Sequence, residues 1–102
     1  MKYKIWVDDC RPAPDGYAFW CRSVIFAKIV IKSIEEDGKM IELIDLDHDA
    51  GDYAADGGDY IKLLDWLEET GRSYPIRIHS MNPVGITNMR RIIQRNHWTE
   101  MR

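Results

Sequence analysis

The sequence predicts an α/β domain with a mostly parallel four-stranded sheet and about three helices. Three observations predict it. Short β-branched and aromatic runs alternate with longer segments of helical period, the order that produces parallel strands and right-handed crossovers. Three of the strand-like runs stop at ionisable residues, at Asp8, Asp47 and His79. The 102 residues, 45% apolar and 30% charged, suffice for one domain with a real core, spanning 1–102.

Tyr3-Lys4-Ile5-Trp6-Val7 reads as the first strand and stops at Asp8-Asp9. Pro12, Pro14 and Gly16 make the next stretch a loop where a helix would otherwise stand. Tyr17 to Cys21 is a short second strand, placed at an edge by the prolines and glycine at its entrance. Ser23 is an N-cap for a helix to about Asp37, stopped by Gly38, with Phe26, Ile29, Val30 and Ile34 at helical spacing. A strand reading competes there, because Val24-Ile25-Phe26 and Ile29-Val30-Ile31 are β-prone.

Ile41 to Leu46 is the third strand, with Asp45 a misfit inside it. Asp52 to Gly58 reads as a flexible acidic loop. Tyr60, Leu63, Leu64 and Leu67 mark a helix from about Asp59 to Thr70, ended by Gly71. Pro75 to His79 is the fourth and last strand. Asn82 then caps a helix with Pro83 at its first position, Val84, Met89, Ile92 and Ile93 forming the apolar side. Arg90, Arg91 and Arg95 read as a solvated face, and His97 to Arg102 is expected to fray. Trp6, Trp20, Trp66, both cysteines and most methionines read as packing residues.

A formal net charge of −3 argues against a general nucleic-acid binder, which needs clustered Lys and Arg. Six aspartates and no Lys or Arg lie between Asp45 and Asp59, so a local acidic site is expected. Cys10 and Cys21 make neither a disulfide framework nor a zinc spacing. No signal peptide is expected, since Met1-Lys2-Tyr3-Lys4 runs straight into a short strand, and no run approaches the roughly 18 apolar residues of a membrane span. The expected setting is soluble and cytoplasmic, with no membrane partner.

A strand interior has no use for the charges of Asp47, His48 and Asp49, because burying an unpaired charge costs several kcal/mol. They belong at the carboxyl end of a strand, the rim where open α/β sheets bind ligands. Asp8, Asp9 and Arg11 follow the first strand, and His79, Ser80 and Asn82 the fourth, so parallel strands bring all of them to one basin. Asp8, Asp9 and Asp47 are hard oxygen donors suited to Mg²⁺. Arg11 and the helix start at Asn82 suit a phosphate. His48 and His79 suit proton transfer, with the order of acid and base open, and Asp49 can orient a histidine. Each residue alone has a plainer reading as a turn former, cap or neutralising charge; their convergence favours a site.

Trp6-Val7-Asp8-Asp9-Cys10-Arg11-Pro12, Leu46-Asp47-His48-Asp49 and His79-Ser80-Met81-Asn82-Pro83-Val84-Gly85, with Asn88-Met89-Arg90, resemble the cyclic-phosphate processing receiver-like family. The resemblance runs from Ile5 to about Ile93, with Ala50 where a larger apolar residue is more usual. It implies a minimal flavodoxin- and receiver-like sheet of order 2-1-3-4, a shortened relative of response-regulator receivers. It also implies processing of cyclic phosphates, such as 2′,3′-cyclic ends of RNA or nucleotides. Its motif residues here are Asp8, Asp9, Arg11, Asp47, His48, Asp49, His79, Ser80 and Asn82, with Ser80 and Asn82 toward the phosphate.

True receivers pair a metal-binding acidic pair, here Asp8-Asp9, with a phospho-acceptor, here Asp47, and a hydroxyl, here Ser80. They also carry a lysine after a fifth strand, before which this chain is expected to stop. The expected activity is therefore hydrolysis or opening of a cyclic phosphate, with Mg²⁺ assisting. The alternatives are a signalling domain phosphorylated on Asp47 and a non-catalytic binder of nucleotides or RNA ends.

Overall fold

A computed structural model describes residues 1–102. Its strands are β1 (Lys2–Val7), β2 (Phe19–Cys21), β3 (Met40–Leu46), β4 (Ile76–Ile78) and β5 (Glu100–Met101). Its helices are α1 (Val24–Glu36), α2 (Ile61–Glu69) and α3 (Pro83–Arg95). The sheet order is β2-β1-β3-β4-β5, and every pairing is parallel. The expected order stands, with β2 at an edge, and one strand is added.

That fifth strand corrects both the expectation of a fraying end and the expectation that the chain stops before a fifth strand. Asn96 closes α3, and His97 takes a left-handed φ of 56°, a turn that non-glycine residues seldom make. The turn brings Trp98 into the core and lays Glu100 beside Ile76. A strand of two residues, preceded by no glycine, has no periodicity to read.

Three successive right-handed crossovers, β2 to β3, β3 to β4 and β4 to β5, set all three helices on one face of the sheet. There α2 touches both α1 and α3. Ile5, Val7, Ile44, Leu46 and Ile76 join Val24, Ile31, Leu63, Leu67, Met89 and Ile93 in the core between the layers. The opposite face has no helix, because a proline loop connects β1 to β2. Tyr17 of that loop packs edge-on against Trp6, with ring centroids 5.3 Å apart.

The helix reading of 24–36 holds over its strand rival, because Ser23 caps it, accepting from the Phe26 N–H at 3.1 Å. Its buried stripe is Val24, Ala27, Val30, Ile31 and Ile34, so Phe26 and Ile29 are corrected to exposed positions. In α3, Gly85 is buried and Val84 is exposed, reversing the expectation for Val84. The acidic stretch after Gly51 holds a 3₁₀ turn, Gly51–Ala55, closed by the Tyr53 N–H on the Ala50 carbonyl. Cys10 is exposed, and of the five methionines only Met89 is buried. No helix is long and apolar enough to cross a membrane.

Candidate functional site

Strand register builds the site in layers. Trp6, Asp45 and Arg77 pair across β1, β3 and β4, so their side chains share one face. Two residues further along each chain are Asp8, Asp47 and His79, which come together at the carboxyl edge. The period of two also separates neighbours. Asp8 is fully buried, whereas the Asp9 carboxylate turns toward Gly51, where an added Cβ would lie 2.4 Å from its Oδ2. The three expected metal donors are thus split, with Asp8 and Asp47 together and Asp9 apart.

The Asp8 carboxylate organises the edge. Its Oδ1 accepts from the Cys10 and Arg11 backbone N–H groups at 2.9 and 2.8 Å. Its Oδ2 meets His79 Nε2 at 2.9 Å and Arg11 Nε at 3.1 Å. The Arg11 guanidinium continues to Asp47 Oδ2 at 3.2 Å, and Asp47 Oδ1 accepts from the His48 N–H at 2.7 Å. Arg11 is thereby pinned between two carboxylates while its side chain stays 52% exposed.

Beneath this runs a polar chain, centred on the buried Asp45, that sequence reasoning missed. His79 Nδ1 lies 2.6 Å from Asp45 Oδ1, and the Tyr17 hydroxyl donates to Asp45 Oδ2 at 2.5 Å. The His79 ring stacks on Trp6, with centroids 3.8 Å apart and planes 2° from parallel. Trp6 Nε1 in turn donates to the Arg11 carbonyl at 2.8 Å. Both His79 nitrogens face carboxylates, so the ring is held at each end. Asp45 was the available signal: a carboxylate inside an apolar strand is stable only with partners. Burial first, then the hydrogen bond and charge of Asp45, push the Tyr17 hydroxyl up to about 12, so it remains a donor.

His48 is built from the other side. Its Nδ1 lies 2.9 Å from Asp49 Oδ1, and Asn82 Nδ2 is 3.5 Å from both His48 Nδ1 and Asp49 Oδ2. The ring rests on the start of α3, where a Cβ on Gly85 would come within 2.5 Å of its Cγ and Cδ2. Asn82 caps α3 as expected, its Oδ1 accepting from the Gly85 N–H at 3.0 Å. Ser80 Oγ accepts from the Asn82 N–H at 3.0 Å. Arg11, Asp47, Asp49, Ser80, Met81 and Asn82 line an open cleft of about 310 Å³.

Burial alone would raise the Asp8 carboxyl, but the Arg11 and Cys10 N–H groups, His79 and the Arg11 charge hold it below the usual carboxylate range. A carboxyl lowered on folding stabilises the fold above its unfolded value, near 4, and that contribution is lost as pH falls through the folded value. Urea denaturation is therefore expected to show stability falling below about pH 4. The fall is expected to be shallower in Asp8→Asn, and equal slopes would refute the assignment.

A family model described as a cyclic-phosphate processing receiver domain matches residues 3–95. No curated protein and no solved structure matches the chain.

Proposed function

The chain belongs to the family of cyclic-phosphate processing receiver domains, and on that premise we propose that it hydrolyses a cyclic phosphodiester in the cleft at the strand ends. One observation carries the reading. Residues from three motifs distant in sequence, Arg11, Asp47 with Asp49, and Ser80 with Asn82, line one cleft.

A cyclic phosphodiester carries one negative charge, which suits a cleft with one guanidinium rather than a cluster of them. Two of the five Arg11 N–H donors are committed to Asp8 and Asp47, leaving the others for phosphate oxygens. The Ser80 hydroxyl and the Asn82 amide supply further donors at the rim. The His48–Asp49 pair takes a proton from water as the new O–P bond forms and the ring P–O bond breaks. Asp49 holds the imidazole so that its other nitrogen accepts. The leaving oxygen takes its proton from water in the open cleft, because His79 would first have to part from Asp8 or Asp45. In this reading His79 holds Asp8, and through it Arg11, in place.

Incubation with 2′,3′-cyclic nucleotides, followed by ³¹P NMR, is expected to show conversion to nucleoside monophosphates. Arg11→Met is expected to lower kcat/KM about tenfold or more, the worth of a charged hydrogen bond. No turnover across a panel of cyclic phosphates, with and without Mg²⁺, would overturn the proposal. A stable acetyl-phosphate adduct, lost in Asp47→Asn, would instead establish the signalling role.

A further inference from the structure

Asp8 and Asp47 offer the carboxylate pair on which Mg²⁺ binding was expected, and oxygens of both lie near His79 within 4.8 Å. The donor set does not fit the ion as arranged. An ionised carboxylate has about four lone-pair sites, and four nitrogens already stand against those of Asp8. Cys10 and Arg11 fill Oδ1 from the backbone, while His79 and the Arg11 side chain fill Oδ2. The Arg11 guanidinium also spans to Asp47 Oδ2, so a positive group already stands between the two carboxylates.

We propose that the Arg11 guanidinium occupies the cation seat between Asp8 and Asp47, so that Arg11 and a divalent ion exclude one another there. The inference rests on the carboxylate pair itself and does not depend on turnover of a cyclic phosphate. Without Arg11, Asp8 regains a lone pair, and Asp47 regains Oδ2 beside it. Two carboxylates then lie side by side with no guanidinium bridging them, the condition that favours a hard divalent ion. With Arg11 present, the ion must first displace a planar cation from both carboxylates at once. The half-exposed Arg11 side chain has room to leave by the cleft.

The test uses Mn²⁺ as the paramagnetic probe, without substrate, and reads line broadening at the backbone amides of Asp8, Asp47 and His79. Arg11→Met is expected to bind at least tenfold more tightly than wild type at these positions, with Mg²⁺ competing. Should Arg11→Met fail to fold, Arg11→Lys serves, because a single ammonium cannot bridge both carboxylates in plane and should also bind more tightly than wild type. Equal affinity in wild type and variant overturns the proposal. Absence of broadening at these amides in both, up to millimolar Mn²⁺, overturns it as well. Failure of cyclic-phosphate turnover affects neither readout.

Discussion

Gly85→Ala is expected to cut cyclic-phosphate turnover about a hundredfold while leaving the fold in place, since displacing a catalytic group by about 1 Å can cost that much. The added Cβ would sit 2.5 Å from His48 Cγ and Cδ2, closer than real Cβ contacts come. Those atoms are the root of the ring, so rotating its tip does not relieve the clash. The imidazole must swing away, and its 2.9 Å contact with Asp49 goes with it. The backbone has less reason to move. Gly85 lies in the first turn of α3, where alanine is favoured over glycine by up to about 1 kcal/mol, and its N–H still reaches Asn82. Direct removal in His48→Ala should cost about 10²- to 10⁴-fold, the usual range for general acid–base catalysis. Steady-state kinetics beside thermal denaturation separates the outcomes. If Gly85→Ala retains full turnover with an unchanged melting temperature, His48 does not carry the proton.

Asp45→Ala is expected to destabilise the protein by about 3–5 kcal/mol, the cost of removing one partner from a buried charged pair. Asp45 is 1% exposed and is the common acceptor for His79 Nδ1 and the Tyr17 hydroxyl. Without it, both donors lose their shared acceptor beside Trp6, and the loop from Asp8 to Tyr17 loses an anchor on the sheet. For a chain of this length the melting temperature should fall by upwards of about 10 °C. Asp45→Asn keeps the shape and one acceptor oxygen, so its loss should be smaller. If Asp45→Ala melts within a few degrees of wild type, the polar chain contributes little to stability. The two substitutions act on different quantities: Gly85→Ala on catalysis through a ring position, Asp45→Ala on stability through a buried network.

Much of the site was legible because its residues interrupt regular patterns. Aspartates and histidines at the ends of β-type runs, and an Asn-Pro helix start, identify the carboxyl edge of a parallel sheet without coordinates. Arg11 and Asp47 could be named as neighbours on that basis, and they are in contact. The side of the strand each residue takes was not legible for Asp8 and Asp9. Both follow the same strand, and only its register against β3 decides which carboxylate turns to Arg11. Trp6 read as ordinary core, because its stacking on His79 joins residues 73 positions apart, a pairing with no local trace. Phe26 and Ile29 misled for a related reason: helical spacing identifies an apolar helix, but packing against the sheet selects the buried stripe.

Beyond the order of the first four strands, which the family resemblance implied, the sequence by itself determined the class of fold, the helix starts at Ser23 and Asn82, and the rim where ionisable groups gather. These follow from local propensity, capping and period, which act over a few residues. Only the tertiary structure decided that a fifth strand closes the sheet, that all helices lie on one face, and that Asp45 joins Tyr17 to His79. It also decided that Arg11 stands between Asp8 and Asp47. Such outcomes depend on which distant side chains meet, and burial makes each unmet polar group costly enough to select one arrangement.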